Sequence, residues 1–201
     1  MARRTKQEAA QTRVALLAAA TAVFAEKGLA KTTLAQIASH AGLTRGAIYW
    51  HFENKAALVC ALWDQLLEPY GELFNEIGMR TPAELPQGMM LIAERLLRQL
   101  LDDPQMQALV KVSLQAHGDD EFLAHTKAQR DEEKRKMLLA FQAIEAGGYL
   151  QDFHTPSSAV FLYVAFISGC FERWHSDPQS YDLACVESLL AGIKVSLFKD
   201  N

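Results

Sequence analysis

Residues 33–55, TLAQIASHAGLTRGAIYWHFENK, decide how this chain is read. Thr33 followed by Gln36 is the capping-box spacing that starts a helix, and Gly42 supplies the positive φ of a sharp stop. A short helix over Leu34–Ala41 is therefore expected, then a three-residue connection Gly42-Leu43-Thr44. Thr44 caps a second helix over Arg45–Phe52, and Asn54 caps a longer one beyond. Leu34, Ala38 and Ala41 on the first short helix and Ile48 and Phe52 on the second fill an inward face, since residues four apart share one side of a helix. Arg45, Tyr49 and Trp50 are left on the outer side of a helix too short to exist for packing alone.

That is a helix-turn-helix pattern, and its outer side suits the DNA major groove, where the first residues of a helix reach base edges. Arg45 can offer two parallel N–H donors to a guanine. Gly46 and Ala47 add little bulk, so the helix end can approach closely, and Ala47 can touch a thymine methyl. The Tyr49 hydroxyl, His51 and Lys55 are expected phosphate donors, and the free backbone N–H groups after the caps Thr33 and Asn54 form natural phosphate sites. Trp50 packs on sugar edges or buttresses the motif. The alternative for Tyr49 and Trp50 is that they cover the seam between the head and the fourth helix, and for His51 that it merely ends its helix.

Outward from this core the chain reads as helical throughout. A first helix is expected over Lys6–Lys27, ended by Gly28, with Val14, Leu17, Thr21 and Phe24 on one face. A long fourth helix follows Asn54 to about Phe74. Further helices are expected near 86–101, 104–117, 120–146, 156–175 and 180–198. No run alternates apolar and polar long enough for a strand. The fold class is all-α, about nine helices, with a DNA-binding head over residues 1–55 and a helical body over 56–201.

Composition agrees with a globular protein: 201 residues, 50% hydrophobic and 22% charged. Residues 1–55 carry eight basic and three acidic side chains, a balance of +5, which leaves −9 for the rest of a chain whose net charge is −4. A basic head on an acidic body fits a module that meets an anion while the remainder stays clear of it. The opening MARRTKQEAAQTR has no apolar stretch, and Ala159–Phe171 is shorter than the roughly 18 residues of a membrane span. A cytoplasmic protein without membrane contact is expected. Cys60, Cys170 and Cys185 are odd in number and sit among apolar neighbours, as reduced thiols do, and a redox switch at Cys60 is the alternative.

The stretch TRVALLAAATAVFAEKGLAKTTLAQIASHAGLTRGAIYWHFENKAAL resembles the TetR family of one-component transcriptional repressors, with cap, turn, recognition helix and the AIYWHFENK ending in register. Together with the opening residues it looks like the AcrR/TtgR-like multidrug-efflux repressor subgroup. The resemblance implies a homodimer on a palindromic double-stranded operator, released when a small amphipathic effector binds the C-terminal domain. It also implies phosphate contacts from Thr33, Tyr49, His51 and Lys55, base contacts from Thr44, Arg45, Gly46 and Ala47, and no cofactor.

In the body, the helix over 156–175 is apolar nearly all round and must meet both a core and a partner. The final helix repeats apolar residues at steps of three and four, a seam suited to a bundle of two chains. Val160, Val164, Ile167, Phe171, Leu183, Val186, Leu190, Ile193 and Leu197 are the expected dimer interface, and the alternative is a monomer using these faces as core. Trp63, Leu66, Leu97, Leu114, Phe141, Phe166 and Cys170 are candidate linings of an effector pocket. His117, Asp119, Asp120 and Glu121 form a tempting metal group, but first-turn acids of a helix explain the carboxylates. The charges of KAQRDEEKRK, 127–136, are mixed and read as a solvated face. No nucleophile elbow, phosphate loop or dinucleotide fingerprint is present, so catalysis is not expected. A regulator that senses no small ligand, answering instead to a protein partner or oxidation, is the second reading.

Overall fold

The computed structural model describes residues 6–116 and 120–199, and these are all-α: nine α-helices, one 3₁₀ turn at Pro178–Ser180 and a single β-bridge between Leu150 and Phe198. The chain divides into two compact units, Met1–Leu66 with Gln105–Thr126, and Leu67–Pro104 with Lys127–Asn201.

The first unit is built on α1 (Lys6–Lys27), α2 (Leu34–His40) and α3 (Arg45–His51), with α2 packed on both neighbours. Its local rules are those of the sequence. Gly28 and Gly42 adopt φ of 75° and 67°, where an L side chain is strained. Thr33 closes a capping box: Gln36 N–H donates to its hydroxyl at 3.3 Å while its own N–H donates to the Gln36 amide oxygen at 2.9 Å. Ile37 and Ile48 are fully buried, each contributing about 1.5–3 kcal/mol. From α1 the Arg13 guanidinium lies over the Phe52 ring, 5.3 Å from its centre. The unit is completed by the first half of α4 (Lys55–Gly78), by α6 (Pro104–Ala116) and by the opening turns of α7 (Asp120–Ala146).

The second unit holds the rest of α4, α5 (Leu85–Asp102), the rest of α7, α8 (Pro156–Ser176) and α9 (Leu183–Leu197). Its core gathers Tyr70, Ile77, Met89, Ile92, Phe141, Ile144, Tyr163 and Leu197. The Tyr163 hydroxyl donates to the Met89 carbonyl at 2.7 Å, which satisfies a polar tip deep in the apolar interior. Phe141 stacks on Phe198 with ring centres 5.9 Å apart and meets the Tyr163 edge at 6.1 Å.

Two boundaries differ from expectation by three residues or more. α4 continues past Phe74 to Gly78, carrying Pro69 inside it. α9 begins at Leu183 rather than 180 because the Asp182 carboxylate accepts the Cys185 N–H at 2.8 Å and so sets the first turn. His117 and Asp119 lie outside the described residues, while Asp120 and Glu121 occupy the first turn of α7. Among the described residues no group of three or more His, Cys, Asp or Glu is placed to hold a metal.

Candidate nucleic-acid interface

Local chemistry sets where α3 starts and which way it faces. Thr44 is extended, and its hydroxyl accepts the Ala47 N–H at 3.2 Å. Starting the helix there turns Ile48 inward, at 0% exposure, with Phe52 following at 3%. The opposite side is left to Arg45, Gly46, Tyr49 and Trp50, all exposed. Trp50 is 72% exposed and Tyr49 47%, so the alternative in which they seal the seam to α4 is overturned. No helix covers them, because the α2–α3 contact is already closed by Leu34, Ile37, Ala38 and Ile48.

The outer face is also internally ordered. The Arg45 guanidinium lies 5.5 Å from the Tyr49 ring centre, one helical turn on, which restricts a side chain that would otherwise sample many rotamers. A β-carbon added at Gly46 would meet only the Thr44 hydroxyl, at 3.9 Å, so the face is open there for close approach. His51 is half-buried, its ring edge-on to Trp50 at 4.5 Å, and it lines a cleft.

Lys55 is placed otherwise than expected. Its ammonium donates to the Leu29 carbonyl at 2.9 Å and the Thr32 carbonyl at 3.2 Å, tying the α1–α2 turn to the start of α4. Two of the three N–H donors of the ammonium are thus used within the head. A contact across 23 and 26 residues leaves no trace in a local pattern.

Sequence reasoning also missed Gln115 and His125, and read Glu121 only as a first-turn acid of its helix. They come from α6 and the start of α7, yet they meet Leu29, Asn54 and Asp64 in the same unit as the head. A cleft of about 270 Å³ in this unit is lined by Arg13, His51, Phe52, Ala57, Cys60, Ala61, Asp64, Glu121 and His125. None of the seven expected effector-pocket residues lines it. Trp63, Leu66 and Leu114 belong to the first unit; Leu97, Phe141, Phe166 and Cys170 belong to the second. Leu97 and Phe141 are fully buried and can line only an enclosed space, whereas Leu114 and Phe166 are half-buried. Trp63 sets its ring edge-on to Phe122 at 5.9 Å, and its buried indole N–H meets no acceptor among the described residues. Burial, aided by the neighbouring Cys185, pushes the Cys170 thiol up to about 11, so it stays protonated at neutral pH.

The expected dimer residues divide by exposure. Val160, Val186, Ile193 and Leu197 are buried inside the second unit, where a partner cannot reach them. Ile167, Phe171 and Leu190 are half-buried, and Val164 and Leu183 are exposed. α8 and α9 also expose Phe161, Leu189 and Val195, three apolar side chains the spacing argument did not select.

With this geometry in place, comparison with known proteins gives the family. Residues 16–62 match the model of bacterial regulatory proteins, tetR family. Over 192 residues the chain is 36% identical to the HTH-type transcriptional regulator TtgR of Pseudomonas putida, a match spanning 91% of this chain and 89% of that one. The chain belongs to the tetR family. This tetR-family member is also 31% identical to the HTH-type transcriptional regulator AcrR of Shigella flexneri, over 91% and 87% of the two chains. Its fold matches the crystal structure of NalD, the secondary repressor of the MexAB-OprM multidrug efflux pump in Pseudomonas aeruginosa, with TM-score 0.79 and 28% identity over 98% of this chain and 100% of that one. It matches a SmeT–triclosan complex with TM-score 0.80 and 25% identity over 95% and 93%. The protein is therefore a helix-turn-helix transcriptional regulator related to multidrug-efflux repressors, and not an enzyme. Among the described residues no helix is long and apolar enough to cross a membrane.

Proposed function

We propose that this tetR-family regulator is a cytoplasmic repressor that binds a palindromic operator as a homodimer and is released by a small amphipathic molecule, controlling a multidrug efflux pump. The observation that carries the DNA reading is the outward face of α3. Arg45, Tyr49 and Trp50 stand exposed over the buried Ile48 and Phe52, with Gly46 and Ala47 leaving the helix end bare. Arg45, Gly46, Ala47 and Thr44 would lie against bases, Thr33, Tyr49 and His51 against phosphates, and Trp50 against sugar edges. Residues 1–55 form the DNA-binding domain in this reading, and 56–201 the effector-binding and dimerisation domain.

The relatives support the efflux assignment, since NalD is described as a repressor of a multidrug pump and SmeT is seen with triclosan. Exposed Phe161, Val164, Leu183, Leu189 and Val195 on α8 and α9 support the dimer, because apolar side chains gathered on two helices favour a covering partner. Two copies would present their α3 helices to half-sites one DNA turn apart, about 34–36 Å.

The test is a titration of the purified protein against the intergenic DNA beside its own gene, at fixed salt, with and without triclosan and a panel of amphipathic drugs. Sequence-selective binding by a dimer, reversed by one compound, is the expected result. Selective binding that no compound disturbs would sink the effector-release part and favour the regulator without a small ligand. Equal binding to any DNA would sink the operator reading.

A further inference from the structure

Gln105–Thr126 is separated from the head by the whole of α5, yet it folds into the same compact unit. Three of its side chains take hold of the head's framework. The Gln115 amide oxygen accepts the Leu29 N–H at 3.1 Å, in the turn between α1 and α2. The carbonyl of the same Leu29 is held by Lys55 from α4, so this residue is gripped from two sides. The Glu121 carboxylate accepts from the Asn54 side-chain N–H₂ at 3.1 and 3.2 Å. That contact decides which way the amide points: its oxygen is left facing the Ala57 N–H, 2.7 Å away, as the cap of α4. Further along α4, His125 Nε2 lies 3.1 Å from both carboxylate oxygens of Asp64.

The contacts made by Gln115, Glu121 and His125 are solvent-exposed, and singly such contacts add little to stability. Their arrangement is what matters. Gln115 fastens the turn before α2 and Glu121 the start of α4, the two points between which α2 and α3 are strung, and His125 holds α4 further on. We propose that Gln115, Glu121 and His125 are positioning residues for DNA binding, acting through Leu29, Asn54 and Asp64 without touching DNA. The inference rests on the reading of the chain as an operator-binding regulator. A head held in this way loses less freedom when it docks, and the saving appears as affinity. Simple electrostatics runs the other way, because a carboxylate near the DNA-binding head repels phosphate, and its removal should then strengthen binding and steepen the salt dependence.

The opposed signs define the experiment, done with the full chain on the intergenic DNA beside its own gene. Glu121→Ala should weaken selective binding by about threefold to tenfold, the loss of roughly one hydrogen bond's net worth. Glu121→Gln keeps an acceptor oxygen for Asn54 and should bind within about twofold of the unaltered protein. Gln115→Leu should weaken binding as Glu121→Ala does, and none of the three should change the salt slope. Amide hydrogen exchange reads the clamp directly: Gln115→Leu should speed exchange at Leu29 and Glu121→Ala at Ala57, while Glu121→Gln leaves Ala57 protected. Equal and tighter binding by both Glu121 variants would show a charge effect alone and overturn the proposal, as would unchanged affinity in Glu121→Ala and Gln115→Leu. Both of these presuppose selective binding by the unaltered protein; its absence overturns the functional reading and this inference with it.

Discussion

Replacing Lys55 by Met separates two roles that its position at the head of α4 allows. The substitution keeps the length and most of the apolar stem and removes only the ammonium, which donates to Leu29 at 2.9 Å and Thr32 at 3.2 Å. Leu29 is half-buried and Thr32 buried, so each bond contributes at least the ordinary net value, about 1 kcal/mol. The loss is then about 2 kcal/mol, and at roughly 2–4 °C per kcal/mol for a chain of this size the Tm should fall by about 4–8 °C. A thermal melt followed by far-UV circular dichroism at fixed pH measures it. A second measurement is the slope of log affinity against log salt on the intergenic DNA. With two of three donors turned inward, that slope should change by clearly less than the roughly 0.9 expected for a full phosphate contact. An unchanged Tm together with a slope reduced by about 0.9 would refute the reasoning and return Lys55 to the DNA.

Three further outcomes follow from the same geometry. Tyr49→Leu removes the ring beneath Arg45, 5.5 Å from it, and should cut discrimination at one base pair by about twofold to fivefold, the value of an exposed cation–π contact; Tyr49→Phe keeps the ring and should weaken all sequences alike, which competition against single-base operator variants distinguishes. Gly42→Ala forces a side chain onto φ of 67° and should cost about 1–2 kcal/mol in a urea titration, with open space around the new methyl excluding a clash as the cause. Burial pushes the Glu133 carboxyl above its ordinary range, against the smaller opposing pull of Lys136 and Arg130, so the folded state binds this proton more tightly than the unfolded chain. The resulting stability is present at acid pH and lost as pH rises through the raised value, so Glu133→Gln should melt higher than the unaltered protein at neutral pH and no higher in acid.

The helices of the head were readable because their determinants are local. Thr33, Gln36, Gly42 and Thr44 act within four residues of themselves, and the four-residue step from Ile48 to Phe52 sets which side of α3 is inward. The outward placement of Arg45, Tyr49 and Trp50 followed from that step, since whatever does not face in must face out. Apolar spacing was a weaker guide in the body. It selected Val186, Ile193 and Leu197 for a partner, but periodicity marks a buried face without saying whose atoms bury it, and these three are covered by the unit's own core.

The order of residues along the chain was enough for the all-α class, the helix-turn-helix and the side of α3 that faces away from the protein. Three-dimensional packing was needed to learn what Lys55 holds, that Trp50 is uncovered, that Gln115 and Glu121 reach the head, and that His125 reaches α4. Caps, turns and helical faces are set by neighbours within a turn or two along the chain. A hydrogen bond between residues 86 apart, as from Leu29 to Gln115, exists only once the packing of whole helices has brought them together.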